Sequence, residues 1–198
     1  MAQQVTGHVY LASGEYDTYD HWRTFLLTHG VDFDGWYGNQ CYDPCALLYF
    51  QYGLTFHLGP IGYAYEAWTV GKSLNSLPPF RAIDRLSDIK RGDLLVFRGS
   101  GFSYYGHVTF ADTDFSEAFY DYYGNLRLYC VGQNQGQGVS WGTPSNRVAL
   151  KMSEFIGAFR NTNWQQPPTP PPSTEQIKKG FPWAVFTRGI RKTRNSML

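Results

Sequence analysis

Two observations predict an α+β fold. Helical spacing dominates the first third of the chain, where Trp22, Phe25, Leu26 and His29 recur on one face. From Asp93 onward the apolar residues fall instead into short alternating runs separated by turn residues. Helices first and strands afterwards predict N-terminal helices followed by an antiparallel sheet of about six short strands.

The elements follow in order. Gln3 to Leu11 is short and mixed, a candidate small strand. Asp17 to His29 reads as a helix, and Gly30 is its expected stop. A run from Ala46 to Tyr52 is a second helix, with Pro44 tolerated only in its first turn and Gly53 closing it. Tyr63 to Val70 is a short third helix, whose Tyr65 and Trp68 suit core packing or a groove wall. Pro78-Pro79 marks a break. Strands are expected over Asp93–Phe97, Gly106–Asp112, Arg147–Lys151 and Phe155–Arg160. A hairpin is expected from Ala118–Tyr123 through Gly124-Asn125 to Leu126–Val131.

Composition limits the function classes. The chain has 198 residues, enough for one ordinary domain with an appendage. Its net charge of +1 gives no bulk reason to expect nucleic acid as a partner. Aromatic residues make up 18% of the chain, which suits contact with an extended glycan or peptide, or simply a core rich in rings. Three cysteines, an odd number, argue against a full disulfide framework. Cys45 and Cys130 sit in apolar surroundings and read as small buried hydrophobes. Cys41 and Cys45 have no second pair of ligands at zinc-like spacing. Residues 1–15 hold no Lys or Arg and no apolar core of a leader, so synthesis in a cytoplasm without a signal peptide is expected. No stretch approaches about 18 apolar residues, so no membrane span is expected.

The chemistry concentrates in Asp32-Phe33-Asp34-Gly35-Trp36-Tyr37-Gly38-Asn39-Gln40-Cys41-Tyr42-Asp43. A helix-bounded calcium loop draws ligands from its first, third, fifth, seventh and twelfth positions. Counted from Asp32, these are Asp32, Asp34, Trp36, Gly38 and Asp43. Trp36 and Gly38 can offer only main-chain carbonyls. The loop departs from the usual pattern, with Tyr37 where the turn glycine stands and Asp43 where a glutamate stands. An Asp/Gly-rich turn with solvated carboxylates is the plainer alternative. Cys41 falls where the second helix begins. Unpaired N–H groups and the positive helix end favour a thiolate there, and the same groups suit a developing oxyanion.

These residues resemble a known family. Gly38-Asn39-Gln40-Cys41-Tyr42-Asp43 is similar to the nucleophile segment of the CHAP family, the cysteine- and histidine-dependent amidohydrolases and peptidases that cut bacterial peptidoglycan. Asp32 to Tyr37 resembles the calcium loop of its staphylococcal-phage lysin branch. Gly106-His107-Val108-Thr109-Phe110-Ala111 matches the second block and Val131-Gly132-Gln133-Asn134-Gln135 the third, in family order. The resemblance covers about residues 16 to 160. It implies a papain-like fold, with the nucleophile on a helix and the base on a sheet. It implies Cys41 as nucleophile, His107 as base and structural calcium. A base histidine wants an orienting acceptor. The position where the family often has an acid is Gly132. Asn134 is therefore the expected orienter, with Gln133 as runner-up and Gln40 as a candidate oxyanion donor. His21, His29 and His57 are read as structural.

Three segments result: a CHAP-like catalytic domain over 1–164, a Pro-rich linker over 165–174 and a basic tail over 175–198. The linker is polyproline in character. The tail carries Lys178, Lys179, Arg188, Arg191, Lys192 and Arg194 against Glu175. It reads as a solubilising tail, a hook for anionic wall polymers or a docking peptide for phage tail proteins. The expected partner of the whole is peptidoglycan, and the expected activity is that of a phage-type amidase or peptide-bridge endopeptidase acting on the cell wall, after release at lysis or within a virion. Two alternatives stand beside it. One is a catalytically weak or inactive domain serving as a structural or wall-binding virion component. The other is an intracellular papain-like peptidase, which the calcium loop disfavours.

Overall fold

The computed structural model describes residues 3–99, 104–136 and 145–165. The chain divides into two units, Met1–Gln165 and Gln166–Leu198, and every described residue lies in the first. The expected linker and basic tail fall outside the described residues, apart from Gln165, which ends a short 3₁₀ turn.

A strand β1 (Gln3–Thr6) runs parallel to β2 (His29–Asp32), and α1 (Tyr19–Thr28) connects them. The Thr18 side chain caps α1 by accepting from the His21 N–H at 3.2 Å. Tyr19, Trp22, Phe25 and Leu26 form the buried stripe of α1. Gly30 does not stop this helix. The chain is already extended at His29, and Gly30 lies inside β2. A Cβ at Gly30 would come within 2.3 Å of the Asn39 amide, so this glycine admits the loop before Cys41 against the strand.

Helix α2 (Tyr42–Gln51) begins directly after Cys41, earlier than the apolar run alone suggests. Pro44 occupies its first turn, where its missing N–H costs nothing. Residues Asp43 to Tyr49 are all buried, so α2 is a core helix rather than an amphipathic surface one. Gly53, at φ 69°, turns the chain out of it. The expected third helix contracts to α3 (Glu66–Thr69). Trp68 there covers Gly157, whose added Cβ would fall 2.2 Å from the indole.

The main sheet has seven strands, one more than expected. They are β3 (Phe80–Ile83), β4 (Leu94–Phe97), β5 (His107–Ala111), β6 (Phe119–Tyr120), β7 (Leu126–Gly132), β8 (Asn146–Lys151) and β9 (Phe155–Asn161). The path runs β3-β9-β4-β5-β7-β6, with β8 along the other side of β7, and every pairing is antiparallel. β3 is the strand the pattern missed. It is held by its register with β9, from Phe80 opposite Asn161 to Ile83 opposite Ala158. The expected two-residue hairpin turn is longer, because the Asp121 carboxylate gathers the N–H groups of Tyr123 and Asn125 and the Arg127 guanidinium.

The sheet is apolar on both faces. Leu94 and Val96 of β4 join the core formed with α1 and α2, while Leu95 and Phe97 point into a second core with Leu128, Cys130 and Met152. An ion pair fixes the strand bases. The Arg160 guanidinium donates to both oxygens of the fully buried Asp93 at 2.8 and 2.7 Å. Arg160→Met would strand that charge, and is expected to cost about 3–5 kcal/mol in urea denaturation. The double variant with Asp93→Asn should recover part of the loss.

Candidate active site

The first helical turn of α2 and the start of β5 meet at one cleft. Cys41, His107, Gln40, Trp36, Tyr37, Tyr63, Asn134 and Gln135 all line it. Cys41 is the N-cap of α2, with φ −62° and ψ −26°. It is half-buried. Burial pushes its thiol up to about 11, against a downward pull from the backbone N–H groups of Val108, Cys41 and Tyr42. Cys45, one turn on, is fully buried and its thiol donates to the Cys41 carbonyl at 3.7 Å, as expected of a structural cysteine.

His107 opens β5, where Gly106 sets its backbone. Gly106 has φ 76°, and an added Cβ would fall 2.6 Å from the Phe97 carbonyl oxygen. The imidazole is buried, and burial lowers it to about 4, against a small opposing pull from Gln135. Its Nε2 lies 3.1 Å from Gln135 Oε1. The acceptor found on the ring is therefore Gln135, not the expected Asn134. Continuing the β5–β7 register from Phe110 opposite Val131 would bring Asn134 opposite His107. The strand instead ends at Gly132, and Asn134 turns left-handed at φ 52°. That turn carries Gln135 back beneath the ring.

Gln133, the runner-up, serves elsewhere. Its Oε1 accepts from Val31 N–H at 2.6 Å, and its Nε2 donates to the carbonyls of Val31 at 2.8 Å and Gln40 at 2.9 Å. Gln40 lines the cleft, but its Nε2 donates to the Tyr37 carbonyl at 3.0 Å, so one of its two amide hydrogens is committed within the loop.

The carboxylates converge as their spacing predicts. Asp32, Asp34 and Asp43 each offer an oxygen, and these oxygens lie within 4.8 Å of one another. Asp43 is buried and accepts from the N–H groups of Phe33 and Gln40, closing the loop at both ends. Burial raises its carboxyl to about 7, with the charges of Asp34 and Asp32 adding to the effect. Asp32 Oδ1 is buried and has no hydrogen-bond partner. Three carboxylates converging where one of them also holds a buried oxygen without a partner fit a hard cation. Gly35, Tyr37 and Gly38 all have positive φ, which curls the loop around this point. Away from the cleft, His21 pairs with Asp17, His29 stacks on Phe25, and the backbone of His57 is held by Asn75.

Comparison with known proteins follows from this geometry. No family model matches the chain, and no curated protein matches it. Among solved structures, it is similar to the crystal structure of a wild-type endolysin, LysIME-EF1. The identity is 25% and the TM-score 0.48, over 72% of this chain and 63% of that chain. The chain thus spans less than two thirds of that protein's length. Among the described residues, no helix is long and apolar enough to cross a membrane.

The buried imidazole has a consequence for stability. Its ordinary value is 6.5 and its folded value about 4, so between them the unfolded chain binds the extra proton. The contribution of His107 is whole above about 6.5 and is lost as pH falls toward 4, at up to about 1.4 kcal/mol per unit. Urea denaturation across this window should show a shallower slope for His107→Gln than for the wild type.

Proposed function

We propose that this chain is a cysteine-dependent amide hydrolase of bacterial peptidoglycan, of the phage-lysin type. One observation supports the chemistry: Cys41, at the positive end of α2, and His107, at the start of β5, line the same cleft. The substrate class rests on the resemblance of the three motif blocks to CHAP enzymes. The helix-borne cysteine and sheet-borne histidine agree with the papain-like arrangement which that resemblance implies.

In the proposed mechanism, His107 takes the Cys41 proton as the sulfur attacks the amide carbonyl carbon. A carbon–sulfur bond forms, and the carbonyl electrons move to oxygen. Backbone N–H groups at the start of α2 are the oxyanion donors, each worth about 10²–10³ in rate. The oxyanion collapses, the carbon–nitrogen bond breaks, and His107 protonates the leaving amine. His107 then takes a proton from water, whose oxygen displaces Cys41 from the thioester. The thiol and imidazole both rest neutral, so the proton moves during attack rather than before it. Either the muramoyl–alanine amide or a peptide bridge satisfies this chemistry.

Asp32, Asp34 and Asp43, with the main-chain carbonyls of Trp36 and Gly38, are the proposed calcium ligands. Bound calcium would neutralise the converging carboxylates and stiffen the loop that enters α2. It would not bind the thiolate, a poor ligand for a hard cation. The basic tail is proposed to engage anionic wall polymers or phage tail proteins.

The deciding experiment is clearing of Gram-positive cell walls in calcium by the wild type and by Cys41→Ala. The wild type should clear them, and the variant should lose at least about a thousand-fold in rate. Equal clearing by both would remove Cys41 as nucleophile. Clearing by neither would favour a wall-binding or structural virion component, the reading that Gly132 in place of an acid supports. Calcium is tested separately by thermal unfolding. Saturating calcium should raise the wild-type midpoint, at 100 times the dissociation constant by about 2.7 kcal/mol of stability, and should leave Asp32→Ala/Asp34→Ala unmoved. An unmoved wild type would remove calcium from the account.

A further inference from the structure

We propose that Gln135 is the residue that positions His107 and fixes its tautomer, in place of an acid or of Asn134. The inference rests on the Cys–His reading above and deepens it. It starts from the two hydrogens of the Gln135 amide. Gln135 Nε2 lies 2.9 Å from the Asn146 carbonyl and 3.3 Å from the Cys130 carbonyl. Both carbonyls can only accept, so the amide nitrogen must face them and Oε1 must face the imidazole. Oε1 is itself only an acceptor. His107 Nε2 therefore carries the ring proton and donates it to Oε1, which makes Nδ1 the proton-accepting nitrogen. The Thr109 hydroxyl, 2.9 Å from the same Oε1, braces it from below.

The surroundings exclude an acid from this role at both available positions. At 132, an added Cβ would fall 2.4 Å from Thr109 Oγ1 and 3.2 Å from Gln135 Oε1. Gly132 is thus the space that Thr109 and Gln135 fill. At 135, a carboxylate would turn an acceptor toward two carbonyls, where the amide donates. A neutral orienter holds the ring without adding negative charge beside it. Burial dominates the imidazole's downward shift, and Gln135 opposes it.

The test is nitrogen NMR of the full chain labelled at histidine, with His107 assigned by subtraction of His107→Gln, alongside wall-clearing kinetics. In the wild type, His107 should be the Nε2–H tautomer at neutral pH. In Gln135→Met, both tautomers should appear and kcat should fall at least about ten-fold with KM within about two-fold. Asn134→Ala should keep the wild-type tautomer. An Nδ1–H wild type would overturn the assignment. So would a tautomer lost in Asn134→Ala, or one kept in Gln135→Met. Should Gln135→Met fail to fold, the wild-type and Asn134→Ala tautomers still decide. The spectra need no turnover. A chain that clears no wall yet shows the expected tautomers loses the enzymatic reading and keeps this one.

Discussion

The amide of Gln133 is the contact on which the arrangement of the cleft depends. It pairs with both backbone groups of Val31 as a neighbouring strand would, and its remaining hydrogen reaches the Gln40 carbonyl. The residue is fully buried, so these bonds form out of competition with water and would be costly to leave unmade. Through this one side chain, the end of β7 grips β2 and Gln40, the residue before Cys41. The pieces joined lie about a hundred positions apart in sequence.

Asp43 does the corresponding work on the other side of the cysteine. It is a first-turn residue of α2, where the helix dipole favours a carboxylate. The same carboxylate ties down the N–H groups of Phe33 and Gln40, and it faces Asp32 and Asp34. One buried acid thus joins helix start, loop closure and the proposed cation site. Its electrostatic cost, three carboxylates brought together, is what a bound cation would offset. The cysteine two residues earlier inherits a fixed position from this arrangement.

The proposed catalytic pair is set by burial more than by charge. Both Cys41 and His107 are pushed toward their neutral forms. The orienting group is an amide, and the position where an acid might stand is filled by Thr109 and Gln135. A neutral pair held by a neutral partner suits proton transfer in step with attack. The exposed rings of Trp36, Tyr37 and Tyr105 line the same cleft, and part of the high aromatic content therefore faces the proposed substrate rather than the core.

The sequence by itself determined what depends on neighbours along the chain. Cys41 falls at a helix start because Pro44 suits only a first turn and Gly53 ends the run. Asp32, Asp34 and Asp43 converge because their spacing is that of a tight loop. Most strands of the sheet follow from alternation, and Gly106 had to be glycine for His107 to approach. Tertiary structure alone decided the rest. Gly30 turned out to make room for Asn39 rather than to cap a helix, and β3 exists because β9 pairs with it. The side chain that reaches the imidazole is Gln135 rather than Asn134 because a left-handed residue broke the register that the strand would have continued. Such hydrogen bonds join segments distant in sequence, and a one-residue change in backbone path exchanges which side chain arrives. No pattern of residue types along the chain encodes that choice.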